Sequence, residues 1–171
     1  VTDFLMHYGD LHLGKKTVLC KDTPAFIANR VGIFALVEIL KLVKDLDLTI
    51  EETDKLTGPV TGKPKTGTFR LNDMIGIDTT VKVKKGIADN CPDDEYKQLF
   101  QEDGILEQMV EKGWYGDKSG QGFYKKTDER DEKGKKVILS LDLNTMEYRP
   151  KQRPKLASLE LVKTIDDLGK R

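Results

Sequence analysis

The stretch GPVTGKPKTGTFRLNDMIGIDT, residues 58–79, gathers glycines, Lys63 and threonines as a phosphate-cradling loop would. A nucleotide P-loop requires glycine, four intervening residues, then Gly-Lys-Ser/Thr, entered from a strand and left through a helix. Here three residues separate Gly58 from Gly62, and Pro64 occupies the place of the magnesium-binding hydroxyl. The preceding residues carry a helix-start signature instead of a strand pattern. The loop fails on spacing, chemistry and context, and its prolines and glycines read as a helix-to-helix connection. A second run, Gly120-Gln121-Gly122, is not the dinucleotide fingerprint and leads into a strand-like stretch.

The remaining chemistry-bearing residues are sparse. His7 and His12 stand at i,i+5 and share no helix face, and no cysteine lies near them at ligand spacing, so a metal site is not expected. Cys20 and Cys91 are too few for a disulfide framework and have no evident activating base, which predicts inert, reduced thiols. Asp73 and Asp78 read as helix-end and capping groups. Arg30 reads as a surface or interdomain pairing group, and Lys63 and Lys65 as exposed, uncommitted cations. Phe69, Leu71, Met74 and Ile75 could line an acyl channel, but hydrophobic core is the plainer account. Trp114, Tyr115, Phe123 and Tyr124 are expected to pack a glycine-bent loop against the helices. Asn29 falls in line with Ile33, Leu36 and Leu40 at helical spacing, where an amide needs a partner: the backbone of a neighbouring loop, or a ligand.

Composition narrows the partners. With 29 basic and 29 acidic residues there is no electrostatic case for nucleic acid or an anionic membrane. The longest apolar run, Val31 to Leu40, is broken by Gly32 and Glu38 and is too short to cross a bilayer. The chain opens on Val with no signal or transit pattern, and it is read as a piece of a longer cytoplasmic protein.

Several elements must position these groups. Residues 4–20 predict a short helix stopped at Gly14 and a strand over Thr17–Cys20, which would belong to a sheet whose other strands lie elsewhere. Thr23-Pro24 predicts the start of a long, heavily buried helix reaching about Asp45. Thr49 and Glu52 form a capping box opening a helix that stops at Gly58-Pro59. Two helices follow, Phe69 to Ile75 and Thr79 to Asn90, split by Gly76 and capped by Asp78. Pro92 starts another, and a further helix around Ile105–Val110 ends at Gly113. The period then changes: residues 122–126, 135–143 and 146–150 predict a small antiparallel meander whose DERDEKG tip is a solvated turn. Pro150 and Pro154 bracket a basic linker before a last helix from Ser158, with Leu161, Ile165 and Leu168 on one face.

Three segments at these spacings, KDTPAFIANRVG (21–32), TGPVTGKPKTGTFRLNDMIGIDT (57–79) and GWYGDKSGQGFYKK (113–126), resemble the C-terminal domain of the 3-hydroxyacyl-CoA dehydrogenase family. The resemblance covers about residues 15–126 and is nearest the long bacterial and archaeal forms associated with enoyl-CoA hydratase. It implies a mainly α fold, similar to the helical C-terminal domain of 6-phosphogluconate dehydrogenase, with a small antiparallel β meander near the C-terminus. It divides the chain into a remnant of a preceding domain (1–20), the helical domain (21–126) and a meander, final helix and linker (127–171). It implies NAD-dependent oxidation of a 3-hydroxyacyl-CoA to the 3-ketoacyl-CoA, with NAD and the catalytic His–Glu pair carried by an N-terminal Rossmann domain. Neither His7 nor His12 lies in that motif, so the fragment alone is expected to be inactive. One family residue carries over: Asn29 matches the active-site asparagine that contacts substrate. Homodimerisation is expected, because a nearly all-round apolar helix needs more cover than a small domain supplies. The alternatives are a 3-hydroxybutyryl-CoA dehydrogenase of short-chain metabolism and a non-catalytic helical interaction module.

Overall fold

The computed structural model describes residues 1–101, 104–162, 164–165 and 167–170. Helices dominate: α1 (Thr2–Leu11), α2 (Ala28–Asp45), α3 (Ile50–Leu56), α4 (Gly67–Ile75), α5 (Ile77–Asn90), α6 (Lys97–Gln101) and α7 (Ile105–Glu111). A three-stranded sheet follows, β1 (Tyr124–Arg130), β2 (Lys136–Leu141) and β3 (Tyr148–Pro150), and then α8 (Ala157–Val162). The mainly α fold with a C-terminal meander is as the sequence predicts. The sheet is antiparallel in the order β1-β2-β3, pairing Tyr124 with Ser140 and Leu141 with Tyr148.

Two of the locally coded features are as predicted, the capping box of α3 and the break at Gly76. The Thr49–Glu52 capping box opens α3: the Glu52 N–H donates to the Thr49 hydroxyl, and the Thr49 N–H donates to the Glu52 carboxylate at 2.9 Å. Gly76, at φ 103°, parts α4 from α5 in a conformation that side chains rarely adopt. Asp78 lies inside the first turn of α5 and not at its cap, where the helix dipole favours it and Lys118 pairs with it. The first residues of DERDEKG extend β1, and Asp131 closes the turn by accepting the N–H groups of Lys133 and Lys135.

The main core joins Leu36 and Val43 of α2, Ile50 of α3, Phe69 of α4, Ile77 of α5 and Leu106 and Met109 of α7 to Phe123, just before β1, and to Tyr124 and Leu141 of the sheet. Phe69 and Phe123 sit at its centre, with ring centroids 4.6 Å apart. A smaller cluster of Ile33, Ile87, Ala88 and Phe100 ties α2 to α5 and α6.

Five expectations are corrected. Thr17–Cys20 is not a strand: residues 14–21 carry no regular structure, because no partner edge is present to take its backbone groups. Thr17 is drawn back to α1 instead, its N–H and hydroxyl donating to Asp10. The long helix starts at Ala28 and not at Pro24, since Ala25 (φ 61°) and Phe26 (φ 48°) are left-handed and cannot continue a right-handed helix. That helix is not buried all round either: Val31 is 60% and Leu42 49% exposed. Pro92 opens turns, with α6 beginning only at Lys97, because the Asp94 carboxylate takes the Tyr96 N–H in a local turn. In α8 it is Leu159 that is buried while Leu161 is exposed; Ile165 follows the helix, and the Leu168 side chain lies outside the described residues.

Candidate functional site

Asn29 occupies the first turn of α2. The apolar stripe predicted to carry it does exist, with Ile33 and Leu36 buried, but it runs off the core at its N-terminal end and leaves Asn29 exposed. The reading of Asn29 as a buried amide is therefore corrected for this chain. Phe26, Ile27 and Val31, all about half exposed or more, surround its position in sequence with apolar surface. Such an amide can donate from Nδ2 or accept at Oδ1. It can polarise and orient an oxygen, but it cannot act as a base.

The turn beneath Asn29 is anchored. Arg30 forms an ion pair with Asp94, whose side chain is 2% exposed, and also donates to Cys91 Sγ at 3.4 Å. The second Asp94 oxygen accepts the Tyr96 N–H at 2.8 Å, and the Tyr96 ring meets Phe34 of α2 at 4.7 Å. Arg30 is thus a pairing group, as expected, and its partner lies within this chain. Cys20 and Cys91 form no disulfide.

Three further acidic residues, Asp73, Asp54 and Glu51, lie at the junction of α3, α4 and the sheet. Asp73 is buried, and its two oxygens accept the N–H groups of Phe123 and Tyr124, each at 2.8 Å. Burial pushes its carboxyl up to about 6, against the pull of those two donors. Asp54 accepts the N–H groups of Phe69 (2.6 Å) and Arg70 (3.2 Å) and the Tyr124 hydroxyl (2.6 Å), so it caps α4 from a distance; burial raises it also. Burial and the Asp54 charge together hold the Tyr124 phenol well above its ordinary range. Burial works against ionisation of Glu51 too, yet two Arg149 bonds at 2.8 Å and the Gln152 N–H outweigh it and leave Glu51 below the usual carboxylate range. The helix-end reading of Asp73 is corrected: it is a buried clasp between α4 and the sheet. Sequence inspection also missed Asp54, Glu51 and Asp94 as anchors. The sequence carried no signal for Asp54: Thr66, a capping residue by type, stands before α4 but makes no cap bond.

The aromatic expectations hold for the loop before β1. Trp114 packs on Tyr148 at 5.2 Å, and the Tyr148 hydroxyl donates to the Gly122 carbonyl. The channel-or-core question splits: Phe69 is fully buried, whereas Leu71, Met74 and Ile75 are 39%, 55% and 52% exposed, so the core account fails for those three. Lys63 and Lys65 are exposed.

Neither glycine run fits a dinucleotide. A Cβ at Gly122 or Gly116 would overlap Asp73, so these glycines serve close packing against α4. Residues 59–61 form a short 3-10 turn between α3 and α4, and a Cβ at Gly67 would overlap the Asp54 backbone. Among the described residues no group of His, Cys, Asp and Glu could hold a metal, and no helix is long and apolar enough to cross a membrane.

Comparison with known proteins adds an independent line. Residues 26–126 match the family model for the 3-hydroxyacyl-CoA dehydrogenase C-terminal domain. The "Probable 3-hydroxyacyl-CoA dehydrogenase" of Bacillus subtilis strain 168 is 38% identical over 163 residues, 95% of this chain and 20% of the relative. The protein of the same name from Deinococcus radiodurans is 40% identical over 135 residues, 79% of this chain and 37% of the relative. The crystal structure of Mycobacterium tuberculosis FadB2 superposes with a TM-score of 0.59 at 28% identity, covering 72% of this chain and 41% of that one. The chain thus spans between a fifth and two-fifths of the length of these relatives.

Proposed function

The chain belongs to the 3-hydroxyacyl-CoA dehydrogenase family, as its C-terminal domain, and from that premise we propose that it forms the substrate-side wall of an NAD-dependent enzyme of fatty-acid β-oxidation. The reaction is oxidation of an L-3-hydroxyacyl-CoA to the 3-ketoacyl-CoA. The nicotinamide cofactor belongs to a preceding Rossmann domain, in keeping with the glycine runs of this chain being filled by Asp73 and Asp54. The general base and its acidic partner belong to the same domain. On this reading α1 and the segment to residue 20 go with that domain, which would cover the exposed Phe4, Leu5 and Leu11. Residues 21–126 form the helical domain, and residues 127–171 lead toward a following one.

The observation that carries the reading is the exposed Asn29 amide, set in apolar surface on an anchored turn. On this reading Asn29 meets the substrate's C3 oxygen, or the catalytic histidine of the preceding domain, once the two domains close on each other. Its Nδ2 would hold that oxygen as it passes from hydroxyl to carbonyl, a polarising and positioning role. In the intact protein, acetoacetyl-CoA should be reduced with loss of NADH, and Asn29→Ala should lower kcat by about one to three decades. No activity from the intact protein sinks the assignment; a wild-type rate in the variant returns Asn29 to the surface.

The exposed Leu71, Met74 and Ile75 of α4, with Val31 and Leu42 of α2, support a homodimer, which sedimentation would test. Two unpaired cysteines accord with a cytoplasmic enzyme. The four-fifths of the Bacillus relative outside the match leaves room for an enoyl-CoA hydratase domain. Acyl-chain preference, including the short-chain 3-hydroxybutyryl case, is to be settled by kinetics across acyl lengths.

A further inference from the structure

The first turn of α2 has little of its own to hold it. It lacks a side-chain cap, and the residues before it, Ala25 and Phe26, are left-handed without being glycine. Each such residue costs on the order of 1–2 kcal/mol unless its surroundings impose it. A turn with that start should fray, and Asn29 would then sample many directions.

What opposes fraying comes from the 91–96 loop. Asp94 is buried and meets two donors, the Arg30 guanidinium and the Tyr96 N–H. The Tyr96 contact fixes the rotation of the carboxylate, so the ion pair has one geometry. Cys91 Sγ accepts from the other Arg30 nitrogen, and Tyr96 packs on Phe34, one turn further along α2. Arg30 is held at two points, Cys91 and Asp94, from a segment more than 60 residues away, and it is bonded directly to Asn29. Asp94 is the buried member while Arg30 is 41% exposed, so losing Arg30 leaves a buried carboxylate without its counter-charge.

We infer that Asp94 is a positioning residue for the dehydrogenase reaction: through Arg30 it fixes the first turn of α2 and thereby the aim of Asn29. The inference rests on the reading of Asn29 given above. A displacement of about 1 Å in such a group can cost on the order of 100-fold in rate, so the pair can matter for turnover without touching substrate.

The test is a double-mutant cycle in the intact dehydrogenase, with kcat, KM for acetoacetyl-CoA, KM for the nicotinamide cofactor and thermal midpoint measured for each protein. Asp94→Asn should lower kcat about 10-fold with KM for the nicotinamide cofactor unchanged. In the Asn29→Ala background it should lower kcat no further, since the group it aims is gone. A general loss of structure would lower both backgrounds alike. Should Asp94→Asn fail to fold, Arg30→Gln interrupts the same link from the more exposed side and must give the same non-additivity. If Asn29→Ala slows the enzyme but Asp94→Asn is silent or additive with it, the inference is overturned and the proposed function stands. If Asn29→Ala has no effect, the role of Asn29 falls and the inference falls with it.

Discussion

The junction of α3, α4 and the sheet and the region of α1 and the α2 start both set polar groups beside apolar ones, with opposite outcomes. At the junction three buried or part-buried carboxylates are answered: Asp73 by two N–H groups, Asp54 by two N–H groups and a phenol, Glu51 by Arg149 and Gln152. At the other region Asn29 faces outward, and Phe4, Leu5, Leu11, Phe26, Ile27 and Val31 are exposed around the same end of the chain. The first pattern completes a core. The second leaves apolar side chains open to solvent. Acidic residues that look catalytic by type are here structural, and an amide that looks like a core group is the functional candidate.

The sharpest way to break this contrast is Asp73→Ala, which leaves the Phe123 and Tyr124 N–H groups buried without acceptors. It should cost about 3–5 kcal/mol in denaturant unfolding of the chain; a loss below about 1 kcal/mol would show that the junction does not depend on its clasp. Next is Glu51→Gln, which removes the charge that Arg149 and the Gln152 N–H share, with an expected cost of about 2–3 kcal/mol by the same measurement. The third test uses pH. The Asp73 carboxyl is raised from its ordinary range to about 6, so its ionised form is disfavoured in the folded state. Its stabilising contribution is full below the unfolded pKa and is lost as pH rises through about 6. The stability difference between wild type and Asp73→Asn should therefore shift against the wild type by about 1 kcal/mol or more between pH 4 and pH 7. A constant difference would mean that the backbone donors fully offset burial. The smallest effect belongs to the other region: Phe4→Ser should change the stability of this chain by no more than about 0.5 kcal/mol, because Phe4 is 68% exposed. A larger loss would show that α1 is covered in solution.

The same contrast explains what could be read in advance. The capping box at Thr49 and Glu52, the breaks at Gly76 and Gly113 and the alternation of the meander depend on neighbours within a few residues, and all of them hold. Thr23-Pro24 carries an equally local start signal, but the left-handed turn at Ala25 and Phe26 overrides it, and no residue type announces that turn. The clasps were illegible because Asp73 and Glu51 meet partners 50 and 98 residues away, and such pairings leave no period in the chain. Asn29 was legible only through the family motif around it. Its helical spacing pointed into a core that ends one turn too early.

The hold on Glu51 also bears on the order in which the molecule can be made. Arg149 and Gln152 follow Glu51 by 98 and 101 residues, while the match to the family domain stops at residue 126. During vectorial synthesis α3 leaves the ribosome long before its counter-charge exists. It must then either stay solvated or bury a lone carboxylate, which is strongly disfavoured. The last step of domain closure therefore waits for β3 and the segment after it, and it carries the entropy of closing a loop of that length. A recombinant boundary drawn at residue 126 would stop the chain in that waiting state; one drawn beyond Gln152 would let it finish.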